Sequence, residues 1–301
     1  MTAEVGARGR VRSLVPSRAS FPGWGVRLFS LLLLLTLWHV SAMRADSHFY
    51  PTPIAVAKAG WAMARPVQQT PGSYTVPVKR TVGDVIRAAT MIEVTGLSVQ
   101  IGELPYHIGV TLIRATIAFV VAMILGSVVG IMLGRKPMLN WLFDSWIVLG
   151  LNMPALVTAI LCYIYLGLNT WALILAVAIN KIPLVAVTMR EGASAIEPEL
   201  IQVGRAFRLS TMQMMRKVFL PQLYPYFMAS WRTGLALVWK IVLVFELFGF
   251  SNGVGFVLQL HFQLGNVDRL LAYAVGFIAV VMVIEALVTR PLERRATLWR
   301  L

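Results

Sequence analysis

The chain is poor in charge and nearly free of cysteine. Only 13% of its 301 residues are charged, about half the share usual in soluble domains. Cys162 is the single cysteine, so no intrachain disulfide and no cysteine-cluster metal site can form. Acidic residues are scarce as well, 13 against 27 Lys and Arg, for a formal net charge of +14. Several signatures of chemistry are missing. No GxxxxGK[ST] phosphate loop occurs, so the chain cannot bind and hydrolyse ATP through that device. HExxH is absent as well. The four histidines, His39, His48, His107 and His261, are scattered and suit interfacial positions better than a metal centre. Glu246 and Glu285 fall in separate apolar runs, each without an evident acid/base partner. These absences point away from an enzyme with a cofactor, metal or catalytic site of its own.

What is abundant is apolar sequence, 58% of the chain. One water-soluble core cannot absorb so much, and membrane insertion follows. A spanning helix needs roughly 20 mostly apolar residues. Six such runs are present: Val26 to Met43, Ile108 to Gly134, Leu149 to Leu166, Trp171 to Thr188, Tyr224 to Phe250 and Leu270 to Thr289. The expected fold is therefore all-α, a polytopic membrane protein of about six transmembrane helices. The first run also fits a cleaved signal peptide, with Val40-Ser41-Ala42 as the cleavage site.

Charge sets the direction. With the N-terminus inside, the cytoplasmic pieces hold sixteen of the 27 Lys and Arg, against seven in the outer pieces. Short inner loops dense in positive charge satisfy the positive-inside rule, which accounts for the basic excess without nucleic acid as a partner. The organisation expected is a basic leader at 1–25, a first span at 26–43, an extracytoplasmic segment at 44–106, a five-span core at 107–290 and a cytoplasmic tail at 291–301. The outer segment is rich in proline and should carry short helices around Ile54 to Ala64 and Val82 to Ile92. Lys136 to Gly150, with Trp141, Asp144 and Trp146, reads as an interfacial helix leading into the third span.

The stretch 190–221 is too polar to span, yet well punctuated as helix. Pro198 suits a first turn and Glu197 and Glu199 suit a helix N-terminus. Leu200, Val203 and Phe207 then share one face. Ser210-Thr211-Met212-Gln213 fits a capping box, opening a second short helix that ends at Leu220-Pro221. Two amphipathic helices at a turn serve either to lie on anionic headgroups or to dock into a partner protein.

This stretch resembles the cytoplasmic coupling loop of ABC-transporter permease subunits: Glu-Ala-Ala, three residues, Gly, nine residues, Ile, any residue, Leu, Pro. Gln202-Val203-Gly204, Arg208 and Val218-Phe219-Leu220-Pro221 fall at that spacing. Gln202 replaces the family's Glu, Gly204 its second Ala and Arg208 its Gly. If the turn requires a positive φ, Arg208 bears a cost of about 1–2 kcal/mol that glycine would not. Further resemblance covers about 250 residues. It includes Tyr50-Pro51-Thr52-Pro53, the run from His107 to Gly134 with Thr111 and Arg114, and Trp239, Glu246 and Gly253-Val254-Gly255-Phe256. The subgroup it resembles carries sulfonates, taurine, nitrate and related small anions.

The resemblance implies a bacterial inner-membrane permease subunit of an importer, both termini cytoplasmic. It implies a second permease copy or homologue, two cytoplasmic ATPase subunits that use ATP, and an extracytoplasmic binding protein that delivers the solute. The ATPase-coupling residues would be Glu199, Leu200, Gln202, Val203, Gly204, Phe207, Arg208, Leu220 and Pro221. Candidates for the translocation pathway are Asn152 and Pro154, where a proline breaks a span, and Lys240 and Glu246, ionisable groups deep in the fifth span. A structural hydrogen bond from Glu246 to a neighbouring helix is an equal reading. Lys181 and Arg232 are expected near the inner interface, snorkelling. Gly126, Gly130 and Gly134 mark a close helix contact, within the subunit or at a dimer seam. Two rival classes remain, an ion-coupled secondary transporter and an intramembrane lipid enzyme using Lys240 and Glu246.

Overall fold

The computed structural model describes residues 24–45, 50–66, 80–92, 99–289 and 291. Nearly all of the basic leader and of the C-terminal tail lie outside the described residues. The chain divides into two units, Met1–Pro53 and Ile54–Leu301. In the first, α1 (Trp24–Ala45) exposes its leucine run, Leu31 to Leu35, and Ser41 Oγ lies 3.1 Å from the Tyr50 hydroxyl.

The second unit opens with α2 (Pro53–Ala64), and a two-residue ribbon, β1 (Arg80–Thr81) against β2 (Gln100–Ile101), brackets α3 (Val82–Thr90). Both helices lie where the sequence predicts short outer helices. Six helices follow: α4 (Glu103–Arg135), α5 (Pro137–Asn152), α6 (Ala155–Leu166), α7 (Thr170–Ser194), α8 (Pro198–Ala206) and α9 (Thr211–Met214). A π-helical turn, Met215–Phe219, leads into α10 (Leu220–Gly249), then α11 (Val254–Gln263) and α12 (Val267–Ile284), which ends in a second π-turn, Glu285–Thr289. Among the described residues, four helices are long and apolar enough to cross a membrane, at 28–45, 103–135, 170–194 and 267–289. Two bent pairs, 137–166 and 211–263, qualify only when each is taken as one span.

The core is built on α4, α7 and α10. A Cβ at Gly126 would stand 2.6 Å from Val185 Cβ, one at Gly130 2.7 Å from Met189 Cβ, and one at Gly134 2.6 Å from the Arg190 carbonyl oxygen. The partners advance together, so α4 and α7 run parallel, backbone against backbone. The glycine stripe thus packs within the subunit. Helix α10 runs the other way: Gly192 meets Tyr226 at one end, Gly234 meets Lys181 and Phe119 midway, and Tyr163 reaches the Phe245 carbonyl near the other end.

The break expected at Pro154 is present, but the third span does not begin as a helix at Leu149. Helix α5 persists to Asn152, and the chain then turns by 99° into α6, which has 12 residues and is too short to span alone. Pro154 causes the break: it has no N–H for α5 to use, and it holds Met153 in an extended conformation with ψ 120°. Nor does a helix end at Leu220-Pro221. Leu220 N–H bonds to the Met215 carbonyl, five residues back, and this wider turn carries α9 into α10 without a stop.

Candidate functional site

At the end of the bundle where α7 finishes and α10 begins, the 190–221 stretch folds as a cap on two long helices. Helix α8 starts at Pro198 in its first turn, with Glu199 behind it. It ends in two backbone bonds, Arg208 N–H to the Arg205 carbonyl at 2.9 Å and Leu209 N–H to the Gly204 carbonyl at 3.0 Å. This is a Schellman ending, whose C′ residue is left-handed. Arg208 occupies it at φ 51°. The reading of Arg208 as a side chain in a glycine's place is therefore met by its geometry. Ser210 then caps α9 reciprocally with Gln213.

Gly204 is buried under the Met214 thioether, which a Cβ there would meet at 2.7 Å. Around this fixed turn, Leu200, Val203 and Phe207 stay uncovered, with Phe207 77% exposed. Glu199, Gln202, Arg208, Leu220 and Pro221 are exposed at the same end.

The opposite end is held by a buried charge pair. Glu246 is fully buried and Arg114 is 1% exposed, and they meet at 3.0 Å across 132 residues of sequence. The second oxygen of Glu246 accepts from Thr111 Oγ1 at 2.7 Å and from Gly255 N–H at 3.1 Å. The guanidinium donates to the Ala88 carbonyl at 2.9 Å, to the Asn252 carbonyl at 3.1 Å and to the Asn252 side chain. One cluster thus joins α3, α4, α10 and the turn into α11. That turn needs Gly253, at φ 101°, because any Cβ would enter the Glu246 carboxylate. Glu246 does have a charged partner after all, and its hydrogen bonds are made inside the protein. The sequence offered Thr111, Arg114, Glu246 and Gly253 only as separate points of resemblance. Beside the cluster is a polar cavity of about 620 Å³ lined by Arg80, Asp84, Arg87, Tyr106 and Arg114.

Of the other pathway candidates, Asn152 and Pro154 are exposed at the α5–α6 break, where Asn152 Nδ2 donates to the Val148 carbonyl. Lys240 is exposed in a groove of about 500 Å³ between α10 and α12, which it shares with Arg232 and Glu285. Lys181 and Arg232 do not sit near the end of their helices. Lys181 is twelfth of 25 residues in α7, 1% exposed and packed on Gly234, and Arg232 is thirteenth of 30 in α10. A charge at the bilayer centre costs about 3 kcal/mol even on insertion scales, so both need a polar or protein environment.

A family described as the inner membrane component of binding-protein-dependent transport systems matches residues 122–296, more than half of the chain. The chain belongs to this family. The permease is 27% identical over 199 residues to the putative aliphatic sulfonates transport permease protein SsuC of Bacillus subtilis, covering 66% of this chain and 72% of that one. It is 28% identical over 193 residues to the taurine transport system permease protein TauC of Escherichia coli, covering 64% and 70%. Its fold matches a chain of the inward-facing MetNI methionine ABC transporter with a TM-score of 0.56 at 18% identity, over 65% of this chain and 96% of that one. Membership decides between the classes left open by the residues: this is a membrane-spanning permease subunit of an ABC importer, not an ion-coupled carrier or a lipid enzyme.

Proposed function

We propose that the permease couples solute import to a cytoplasmic ATPase through α8 and the turn at Arg208. The observation that carries this reading is the apolar face of Leu200, Val203 and Phe207, left uncovered on a helix whose C-terminal end is closed by a Schellman turn leading into the reciprocal cap of α9. A rigid helix with an exposed apolar face suits insertion into a protein groove better than a loose headgroup contact. Glu199, Gln202 and Arg208 supply the polar rim, Gly204 packs under Met214 of α9, and Leu220 and Pro221 open α10 at the foot of the knob.

Because α7 and α10 leave this knob directly, a displacement of α8 tilts both helices. In this reading two ATPase subunits bind and use ATP while the permease itself holds no cofactor. A second permease copy or homologue completes the channel, and a binding protein delivers the solute at the Arg114 end. The knob and both termini are cytoplasmic and the chain lies in a bacterial inner membrane, as the density of Lys and Arg in the short inner loops supports. The solute is a small anion, a reading supported by relatives named for aliphatic sulfonates and taurine.

Val203→Asp tests the coupling. Val203 is 50% exposed, so the variant should insert and fold normally. Its uptake, and the stimulation of ATPase by loaded binding protein, should fall roughly tenfold or more, as for loss of an interface anchor. Normal uptake by Val203→Asp would sink the docking assignment.

A further inference from the structure

Helix α5 stands against α7 in the opposite sense. Asn140 and Asp144 meet Arg190, while Gly150 meets Pro183, nearer the start of α7. Ile147, between these contacts, is the buried residue of α5, and Met138, Trp141, Leu142, Trp146 and Leu149 are exposed. Such an apolar coat belongs against lipid. Its depth follows from α7. Arg190 lies 20 residues beyond Thr170, the first residue of α7, a rise of about 30 Å and so the thickness of a hydrocarbon layer. Arg190 therefore marks the level of the lipid headgroups at one edge of the bilayer.

At that level α5 and α7 enclose a polar pocket of about 430 Å³, lined by Pro137, Asn140, Trp141, Asp144, Ser145 and Arg190. A single nitrogen of the guanidinium serves both neighbours: Arg190 Nη1 donates to Asn140 Oδ1 at 2.8 Å and to Asp144 Oδ1. The donors on Nη2 and Nε meet no acceptor among the described residues. Asp144 Oδ2 meets no donor there either, and this side chain is 51% exposed. The pocket thus holds a cation and a carboxylate side by side, each with bonding capacity left over. An anionic headgroup would answer Arg190 and set a like charge beside Asp144. A zwitterion answers both.

We propose that this pocket binds the headgroup of phosphatidylethanolamine. Its phosphate takes the remaining guanidinium donors of Arg190, and its ammonium donates to Asp144 Oδ2. Phosphatidylcholine carries the same phosphate but has no N–H to give, and phosphatidylglycerol brings no cation to Asp144. Val148 and Leu151, four and seven residues on from Asp144 and so on the same face, are exposed to take an acyl chain. The exposed indole of Trp141 sits at the headgroup level, where such rings collect. Neither the docking of an ATPase nor the identity of the solute bears on this pocket.

The test uses the full chain with its co-purifying subunits, freed of native lipid by detergent exchange. Dioctanoyl lipids are titrated by native mass spectrometry: phosphatidylethanolamine, its N,N-dimethyl form, phosphatidylcholine and phosphatidylglycerol. The ethanolamine lipid should bind about tenfold tighter than the choline lipid, the scale of one charge-assisted hydrogen bond. The dimethyl form keeps one N–H and should stay nearer to the ethanolamine lipid. Asp144→Asn should erase the difference while keeping the thermal transition, because Asp144 is half exposed. Should that variant fail to fold, the methyl series on the unaltered protein still decides. Equal affinity for the ethanolamine and choline lipids overturns the proposal, and so does phosphatidylglycerol binding as tightly as phosphatidylethanolamine. Soluble phosphoethanolamine, which lacks acyl chains, should not displace the lipid at equal concentration. If it does, the ligand is a soluble one and the lipid assignment falls.

Discussion

Arg208 shows how much one backbone angle can say. A left-handed L-residue costs about 1–2 kcal/mol, and Arg208 accepts that cost at φ 51° because two backbone bonds, from its own N–H and from Leu209, close the end of α8. The side chain is exposed and adds no packing that would offset the strain. Arg208→Gly should therefore leave the turn intact or tighten it. Arg208→Val, β-branched and stiffer in this region, should loosen it by about 1 kcal/mol. Hydrogen exchange at the Leu209 amide reads the difference, and faster exchange in the glycine variant than in the valine variant would refute the assignment of strain. This position was legible in advance, since its spacing from Gln202 and from Leu220-Pro221 singled it out. What spacing could not show is that Gly204, four residues earlier, is the buried member of the turn beneath Met214.

Elements with strong local signals formed where those signals lie. Helix α3 begins at Thr81 in a full capping box: the Asp84 amide donates to Thr81 Oγ1 at 3.2 Å, and the Asp84 carboxylate accepts from the Thr81 amide at 2.7 Å and hydroxyl at 2.8 Å. Those two bonds, the backbone one first, hold the Asp84 carboxyl below its ordinary value of 3.8. A depressed carboxyl stabilises the fold above the unfolded-state value, and that contribution is lost as pH falls through the lower folded-state value. Protection of the α3 amides should thus persist to pH below 3.8 and then collapse. Asp84→Asn should flatten this pH dependence, and Thr81→Ala should cost the helix about 1 kcal/mol at any pH. An unchanged acid profile in Asp84→Asn would assign the loss to another group. The α5–α6 pair was less legible. Pro154 announced a break, but the 99° turn and the run of α5 to Asn152 depend on Gly150 lying against Pro183 of α7, a contact 33 residues away.

At the scale of the whole molecule, the parts that escaped the sequence are those that join distant segments. Arg114 and Glu246 each read as an isolated charge in an apolar run, because nothing local reveals that α4 and α10 lie antiparallel with these two residues at one level. Their pairing carries a consequence for stability. Attraction within a desolvated ion pair roughly offsets the desolvation of its members, whereas removing one partner strands the other, at a cost of about 3–5 kcal/mol. Arg114→Met should strand Glu246, and it also releases the Ala88 carbonyl and Asn252, so that α3 and the α10–α11 turn lose their common anchor. The single variant should give little folded protein by size exclusion in mild detergent. Arg114→Met with Glu246→Met removes both charges, leaving only neutral groups unanswered, the Gly255 donor and the Ala88 and Asn252 acceptors, while Thr111 keeps the His107 carbonyl, and should recover much of the lost thermal stability. If the double variant is no more stable than Arg114→Met alone, the pair contributes through its wider hydrogen bonds rather than through charge, and the anchor would then be the contacts to Ala88 and Asn252.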